Sequence, residues 1–320
     1  MNGLIKGGTM MNRIRPAVSI VVLGLMAVAP ASSHARQPAG GGWIGKRVVQ
    51  KYSSFQLKIE NQVIDPKDWI ATYRVEQVNR PWLWLHAGEL NGWAPADQVV
   101  PVEQAIAFFA DYIRSNPGDS FGYTMRAMIW TEEKKELDIA LGDYNEAIRL
   151  NPTKVAVYGN RGNGWYAKKE YDKAIADYNE AIRLDPTEAA LYNNRGNAWY
   201  AKKEYDKAIA DYNEAIRLDP KYTRVYNSRA WLWATCPDAK YRDGKNAVES
   251  ATNACELSAW KVPYMIGTLS AAHAEAGDFE SAVKWQSKAI ELLTDEKEKE
   301  DYRSRLKLYQ EKRPYRDTQP

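Results

Sequence analysis

The chain is poor in the residues on which most metal sites and nucleophilic catalysts draw: three His and two Cys among 320 residues. One His, His34, lies close to the N-terminus. The other two, His86 and His273, have no Cys or carboxylate at metal-ligand spacing. A glycine-rich phosphate loop and a nucleophile elbow are both missing. The glycines of Arg161-Gly162-Asn163-Gly164 fall inside a helical pattern, where they serve packing. No catalytic residue, metal ligand or cofactor is therefore expected. Charge of one sign is also lacking. Lys and Arg number 44 against 41 Asp and Glu, and Lys6, Arg13 and Arg15 lie in an N-terminal stretch without acidic residues. Without those three the chain carries 41 of each sign, which excludes the basic footprint of a nucleic-acid binder. Phe is scarce, with 5 against 20 Tyr and 12 Trp. Such a skew is expected where a few aromatic positions are copied in repeats.

Long apolar runs are absent too. The longest, AVSIVVLGLMAVAPA at 17–31, falls short of the roughly 20 residues a spanning helix needs. Basic residues precede it and Ser32-Ser33-His34 follows, the order of an export signal cleaved after Ala31 or Ala35. A membrane anchor is the competing reading, and the length argues for cleavage. Residues 1–35 are thus read as a signal peptide and 36–43 as a flexible leader. The mature form is expected in the periplasm or cell envelope, with no membrane span.

What the sequence has in abundance is repetition. Residues 160–186 read NRGNGWYAKKEYDKAIADYNEAIRLDP, and 194–220 repeat them with Ala198 in place of Gly164. The period is 34 residues. Tyr158, Gly162, Trp165, Ala174, Tyr178, Ala181 and Pro186 recur as Tyr192, Gly196, Trp199, Ala208, Tyr212, Ala215 and Pro220. This pattern resembles the tetratricopeptide repeat (TPR) family, in which small residues let two helices approach and Pro ends the second. Upstream, Tyr123, Ala127, Trp130, Ala140, Tyr144, Ala147 and Pro152 fit with one extra residue between the helices. Ala105, Phe109, Tyr112 and Pro117 match a second helix without a first, as a half-repeat cap. Downstream, Tyr226, Ala230, Trp233, Ala247, Ala251 and Ala254 fit with about five residues inserted around CPDAKYRDG, and a last copy runs through Thr268, Ala272, Ala282, Gln286 and Ala289. A terminal helix with Tyr302, Leu306 and Tyr309 on one face reads as a polar-faced cap. The segments from Trp233 to Leu257 and from Ala274 to Leu292 are similar to the C-terminal modules of TPR proteins common in planctomycete bacteria.

Before the repeats the period changes to two. KRVVQK, FQLKIE, ATYRVEQV, PWLWLHA and GWAPADQVV read as some five strands, with Asn91-Gly92 as a hairpin turn. Tyr73-Arg74-Val75-Glu76, Trp82-Leu83-Trp84-Leu85 and Gly92-Trp93-Ala94-Pro95 resemble the core of bacterial SH3-like domains. The expected fold class is mainly α. A right-handed TPR α-solenoid of helix-turn-helix repeats spans 102–292, as a half-repeat cap plus about five repeats. A small SH3-like β-barrel at 44–101 precedes it; a capping helix at 293–313 and a tail at 314–320 follow. The short junction at Val99-Val100-Pro101-Val102 predicts rigid docking of the two parts. Cys236 and Cys255 are placed at distant helix ends, so both thiols are expected free and buried unless the insertion folds back along the second helix.

The resemblance implies that the first helix of each repeat lines a concave groove for a protein or peptide ligand. On that template Asn160, Asn163, Asn193, Asn194, Asn197 and Asn227 occupy exposed concave positions, with Tyr166 and Tyr200 beside them. Such amides offer paired donors and acceptors to a peptide backbone; plain soluble surface is the alternative. Asn163, Asn194 and Arg224 sit where the carboxylate-clamp TPR domains carry two Asn and a basic residue, while Gly159 and Ser228 replace two further basic positions. Arg126, Arg161, Arg195 and Arg229 recur opposite Asp143, Asp177 and Asp211, which predicts an internal ion pair within the repeat. Trp82, Trp84 and Trp93 are the candidates for a cell-wall or envelope ligand on the barrel, although a barrel this small favours them as core. An enzyme subunit whose site a partner completes is the third class. Intact mass of the exported protein checks the first of these expectations: the chain is predicted to begin at Ser32 or Arg36, and retention of residues 17–31 would mean an anchor.

Overall fold

Alternation of apolar and polar residues between Arg47 and Pro101 builds an antiparallel sheet with seven strands among the described residues. They are β1 (Arg47–Gln50), β2 (Leu57–Ile59), β3 (Gln62–Ile64), β4 (Tyr73–Asn79), β5 (Trp82–Ala87), β6 (Leu90–Pro95) and β7 (Val99–Pro101), in the order β3-β2-β6-β5-β4-β1-β7. The computed structural model describes residues 42–59, 62–64, 72–87 and 90–317. The expected signal peptide and nearly all of the expected leader lie outside the described residues. Two strands exceed the five read from sequence. One is β3; the other is β7, which a 3-10 turn at Ala96–Gln98 separates from β6. No pairing among the described residues joins the edge strands β3 and β7, so the sheet is open where a closed barrel was expected.

The sheet core comprises Trp43, Val48, Phe55, Leu57, Tyr73, Val75, Leu83, Leu85, Ala94 and Val99. Because side chains alternate along a strand, inward Leu83 and Leu85 send Trp82 and Trp84 to the opposite face. Asn91 and Gly92 are not a turn. His86 pairs with Asn91 and Leu85 with Gly92, inside the β5–β6 ladder. A Cβ on Gly92 would lie 2.9 Å from Leu57 Cβ, so the glycine lets β2 lie close against β6.

Twelve α-helices follow among the described residues. After α1 (Val102–Ser115) come five antiparallel pairs: α2 (Ser120–Ile129) with α3 (Leu137–Leu150), α4 (Val155–Ala167) with α5 (Tyr171–Leu184), α6 (Ala189–Ala201) with α7 (Tyr205–Leu218), α8 (Thr223–Thr235) with α9 (Gly244–Leu257), and α10 (Pro263–Glu275) with α11 (Phe279–Leu292). α12 (Glu296–Gln310) closes the series. The extra residue of the first pair is taken up by a π-helical turn at Trp130–Lys134. The longer connection of the fourth pair forms a 3-10 turn at Ala239–Tyr241, whose Tyr241 hydroxyl donates to Asp206 at 2.7 Å. Both Cys236 and Cys255 are buried and unpaired, and burial pushes the Cys255 thiol up to about 12.

Within a pair, the fully buried second-helix tyrosine lies on a small residue of the first helix. A Cβ on Gly162 would sit 2.7 Å from the Tyr178 ring, and Gly196 meets Tyr212 in the same way. Between pairs, the recurring arginine holds three helices together. Arg161 donates to Asp177 Oδ1 and Oδ2 at 2.6 and 2.8 Å on its own partner helix, and to Asn145 Oδ1 at 2.8 Å on the preceding pair. Arg195 repeats this with Asp211 and Asn179. Arg126 pairs with Asp143, as the sequence predicts. Arg229 keeps the backward bond to Asn213, but Ser250 stands where its carboxylate would be.

The sheet and the helices share core. Val49 of β1 and Val100 of β7 pack in one cluster with Ala105, Phe109, Met125 and Met128, and Arg47 Nη1 donates to Glu133 Oε2 at 2.7 Å. The described residues from Trp43 onward accordingly form one compact unit.

Asp177→Ala is expected to lower stability by about 1–3 kcal/mol, because Arg161 then stays half-buried beside an empty place. The double variant Arg161→Met/Asp177→Leu loses less, and urea unfolding midpoints distinguish the two. By the same measurement, Gly162→Val is expected to cost about 1–3 kcal/mol through overpacking on Tyr178. Gly142→Ala, at an exposed helical position where a Cβ meets nothing within 4 Å, is expected to gain about 0.5–1 kcal/mol.

Candidate functional site

The first helices of successive pairs, α4, α6 and α8, stand side by side, and the 34-residue period puts equivalent side chains at one level on each. One such level runs Asn160, Asn194, Ser228; another Asn163, Asn197, Trp231; a third Gly159, Asn193, Asn227; and a fourth Tyr166, Tyr200, Ala234.

The asparagines are not the free, exposed row that the template suggests. Asn160 and Asn193 are 7% and 3% exposed, and Asn163, Asn194, Asn197 and Asn227 are half-buried. The reason is the close lateral approach of neighbouring first helices. Asn163 Oδ1 accepts from Asn194 Nδ2 on the next helix at 3.1 Å and from the Tyr178 hydroxyl at 2.8 Å. Asn193 Nδ2 donates to Asn194 Oδ1 at 3.3 Å, and Asn197 Oδ1 accepts from the Tyr212 hydroxyl at 2.8 Å. Asn163 and Asn197 thus hold the buried tyrosines that space the helix pairs. Three buried amide atoms of these asparagines remain without a partner: Asn160 Nδ2, Asn193 Oδ1 and Asn227 Oδ1. The last two are the same atom one repeat apart. Burial of such an acceptor costs free energy until a donor reaches it.

Tyr166 is exposed and leans on Tyr171, with ring centroids 5.5 Å apart. Its equivalent Tyr200 packs on Tyr205 and donates its hydroxyl to Asp317 Oδ2 at 2.8 Å. Burial first, and then the Asp317 charge, hold the Tyr200 hydroxyl well above its ordinary range. Arg224 is exposed in the first turn of α8. Sequence reasoning missed Trp231, Glu275, Arg305 and Asp317 altogether. Trp231 alone left a trace, since it breaks the Asn163–Asn197 level.

On the sheet, the expectation that Trp82, Trp84 and Trp93 are core is overturned. All three are half-buried on the outer face, with Trp84 directly opposite Trp93 and their rings edge-to-face at 5.3 Å. Lys58 Nζ lies over Trp82 at 5.2 Å. Among the described residues the buried tryptophan is Trp43.

Among the described residues no group of three or more His, Cys, Asp or Glu side chains is placed to hold a metal ion, and no helix is long and apolar enough to cross a membrane. His273 Nδ1 lies 3.2 Å from Asp278, the residue that caps α11; burial lowers the imidazole against that carboxylate's opposing pull.

The tetratricopeptide repeat family model matches residues 189–222, and a second TPR repeat model matches residues 165–203. No curated protein matches the chain. Among solved structures, yeast Tom70 is similar over 64% of this chain and 42% of its own, at 18% identity and a TM-score of 0.52. The Cut9–Hcn1 hetero-tetramer of the APC/C is similar over 65% of this chain and 40% of the other, at 13% identity and a TM-score of 0.56. The chain therefore spans less than half the length of either. The likeness is one of fold, and it agrees with the repeat matches: the helical body of this chain is a solenoid carrying tetratricopeptide repeats.

Proposed function

We propose that the chain is a non-enzymatic interaction scaffold that works in the cell envelope and takes a peptide or protein segment along α4, α6 and α8. The observation that carries this reading is the repeated, unpartnered Oδ1 of Asn193 on α6 and Asn227 on α8, together with unpartnered Asn160 Nδ2 on α4. Two acceptors and a donor lining neighbouring helices are the complement of an extended backbone, which presents N–H and C=O groups at regular intervals. Exposed Tyr166 supplies apolar surface on α4. Arg224 and the half-buried Asn163, Asn194 and Asn197 frame the same helices. The signal-like N-terminus supports export.

A second reading has its own observation. The outer-face strip of Trp82, Trp84 and Trp93, half-exposed beside Lys58, offers a stacking surface to a cell-wall or envelope component. In that reading an SH3-like sheet binds and the repeats present it.

Photo-crosslinking separates the two. A benzophenone side chain is placed at Tyr166, at exposed Ile139 on α3, or at Trp84, and the protein is incubated with envelope extract. Adducts from Tyr166 that map to one segment of one partner, and that are reduced at least tenfold by Asn193→Ala/Asn227→Ala, are the expected result. Adducts from Trp84 alone would move the function to the sheet.

A further inference from the structure

After α12 the chain does not leave the solenoid. Residues 313–317 turn back across the first helices α6, α8 and α10, and each of the last three described residues finds a partner of its own chemistry. The Asp317 carboxylate sits between two donors: the Tyr200 hydroxyl at 2.8 Å and Trp231 Nε1 at 2.9 Å, both on Oδ2. Its backbone N–H donates to Thr235 O at 2.9 Å, pinning the main chain to the C-terminal end of α8. Arg316 Nη2 lies 2.6 Å from Glu275 Oε2 on α10; Arg242 holds the other oxygen of that carboxylate at 3.1 Å. The Tyr315 ring lies 5.7 Å from the Trp231 ring, and the Arg305 guanidinium is 5.7 Å from both. Ala234, at the level where the two preceding repeats carry Tyr166 and Tyr200, lacks the ring that would obstruct the passing chain.

These contacts share the character of peptide recognition. A carboxylate in a two-donor pocket, a guanidinium on a half-shielded carboxylate and a ring on a ring each read one residue type. They fall on the first-helix side, where Trp231 shares the level of Asn163 and Asn197, and begin at Tyr200. A connector with no recognition role has no need of three matched partners on three different helices.

We propose that Tyr315-Arg316-Asp317 is a built-in ligand of the groove, and that the external segment the groove takes carries the same aromatic–Arg–acid order and displaces the tail. The proposal rests on the groove reading above and narrows it. A tethered segment acts at an effective concentration in the millimolar range, so a free competitor meets a largely filled site. Loss of the tail's own anchor therefore raises affinity for a peptide supplied in trans.

The test uses the full chain, wild type and Asp317→Ala, with a fluorescent peptide of residues 313–320 (RPYRDTQP). Asp317→Ala is expected to bind the peptide at least tenfold more tightly than wild type. Adding Tyr200→Phe, or Trp231→Phe, to that variant lowers the affinity again by about tenfold, the cost of one hydrogen bond to a charged group. In wild type the Asp317 amide is expected to be protected from hydrogen exchange by its bond to Thr235, and to lose protection on addition of excess peptide. Equal peptide binding by wild type and Asp317→Ala, or an unprotected Asp317 amide, overturns the proposal. So does a wild-type dimer that Asp317→Ala converts to monomer, which would place the tail in a second copy. If these tests fail while Tyr166 still crosslinks one partner segment, the groove reading stands and only the tail's role falls.

Discussion

An arginine on the first helix of each of the first four pairs is the fixed point from which the solenoid is set out. Arg161 and Arg195 each reach two second helices, one in their own repeat through a bidentate carboxylate and one behind them through an asparagine. A planar fork of donors suits this task, since a single rigid group can satisfy two acceptors on different helices. The ring one turn earlier adds to it: Tyr158 and Tyr192 lie 5.8 and 5.4 Å from the arginine carbons. With the angle between pairs fixed in this way, the first helices stand close enough for Asn163 to meet Asn194. The burial of the asparagines, their unpartnered atoms and the position of Tyr200 all follow from that spacing.

The arginine series also explains where the regular array ends. At Arg229 the carboxylate is gone, and burial lowers the guanidinium's hold on its proton. The side chain keeps its backward bond to Asn213 and lies over the Trp233 ring, 4.7 Å away. From this repeat onward the structure changes character: a longer connection, a tryptophan in an asparagine level, and a tail crossing the first helices. At the other end, Val49 and Val100 give the first helices an apolar partner, so the sheet covers the end of the solenoid that no repeat covers.

Much of this was legible in sequence, because a repeat writes each contact several times. Tyr178 against Gly162 and Arg161 against Asp177 recur at fixed spacing, and their roles could be read without coordinates. What stayed hidden depended on distances between elements. A template names the face on which Asn160 and Asn193 lie, but the gap between neighbouring helices decides whether that face is open. The Trp82–Trp84 strip shows the same limit, since a strand with rings on one side and leucines on the other gives no internal sign of which is inward. Residues 313–317 carry no periodicity, and their partners lie on helices more than one repeat apart in sequence. Nothing short of the folded chain could have joined Asp317 to Tyr200.

The near-identity of two adjacent repeats has a consequence for how such a surface changes length. Each copy presents the same faces to its neighbours, Arg161 to Asn145 as Arg195 to Asn179. A further copy, or the removal of one, would leave every interface of a kind already present. The solenoid can therefore grow or shrink in whole steps of 34 residues while Trp231, Ala234 and the segment lying on them keep their mutual arrangement. The molecule behaves as a ruler with a movable zero and a fixed end stop.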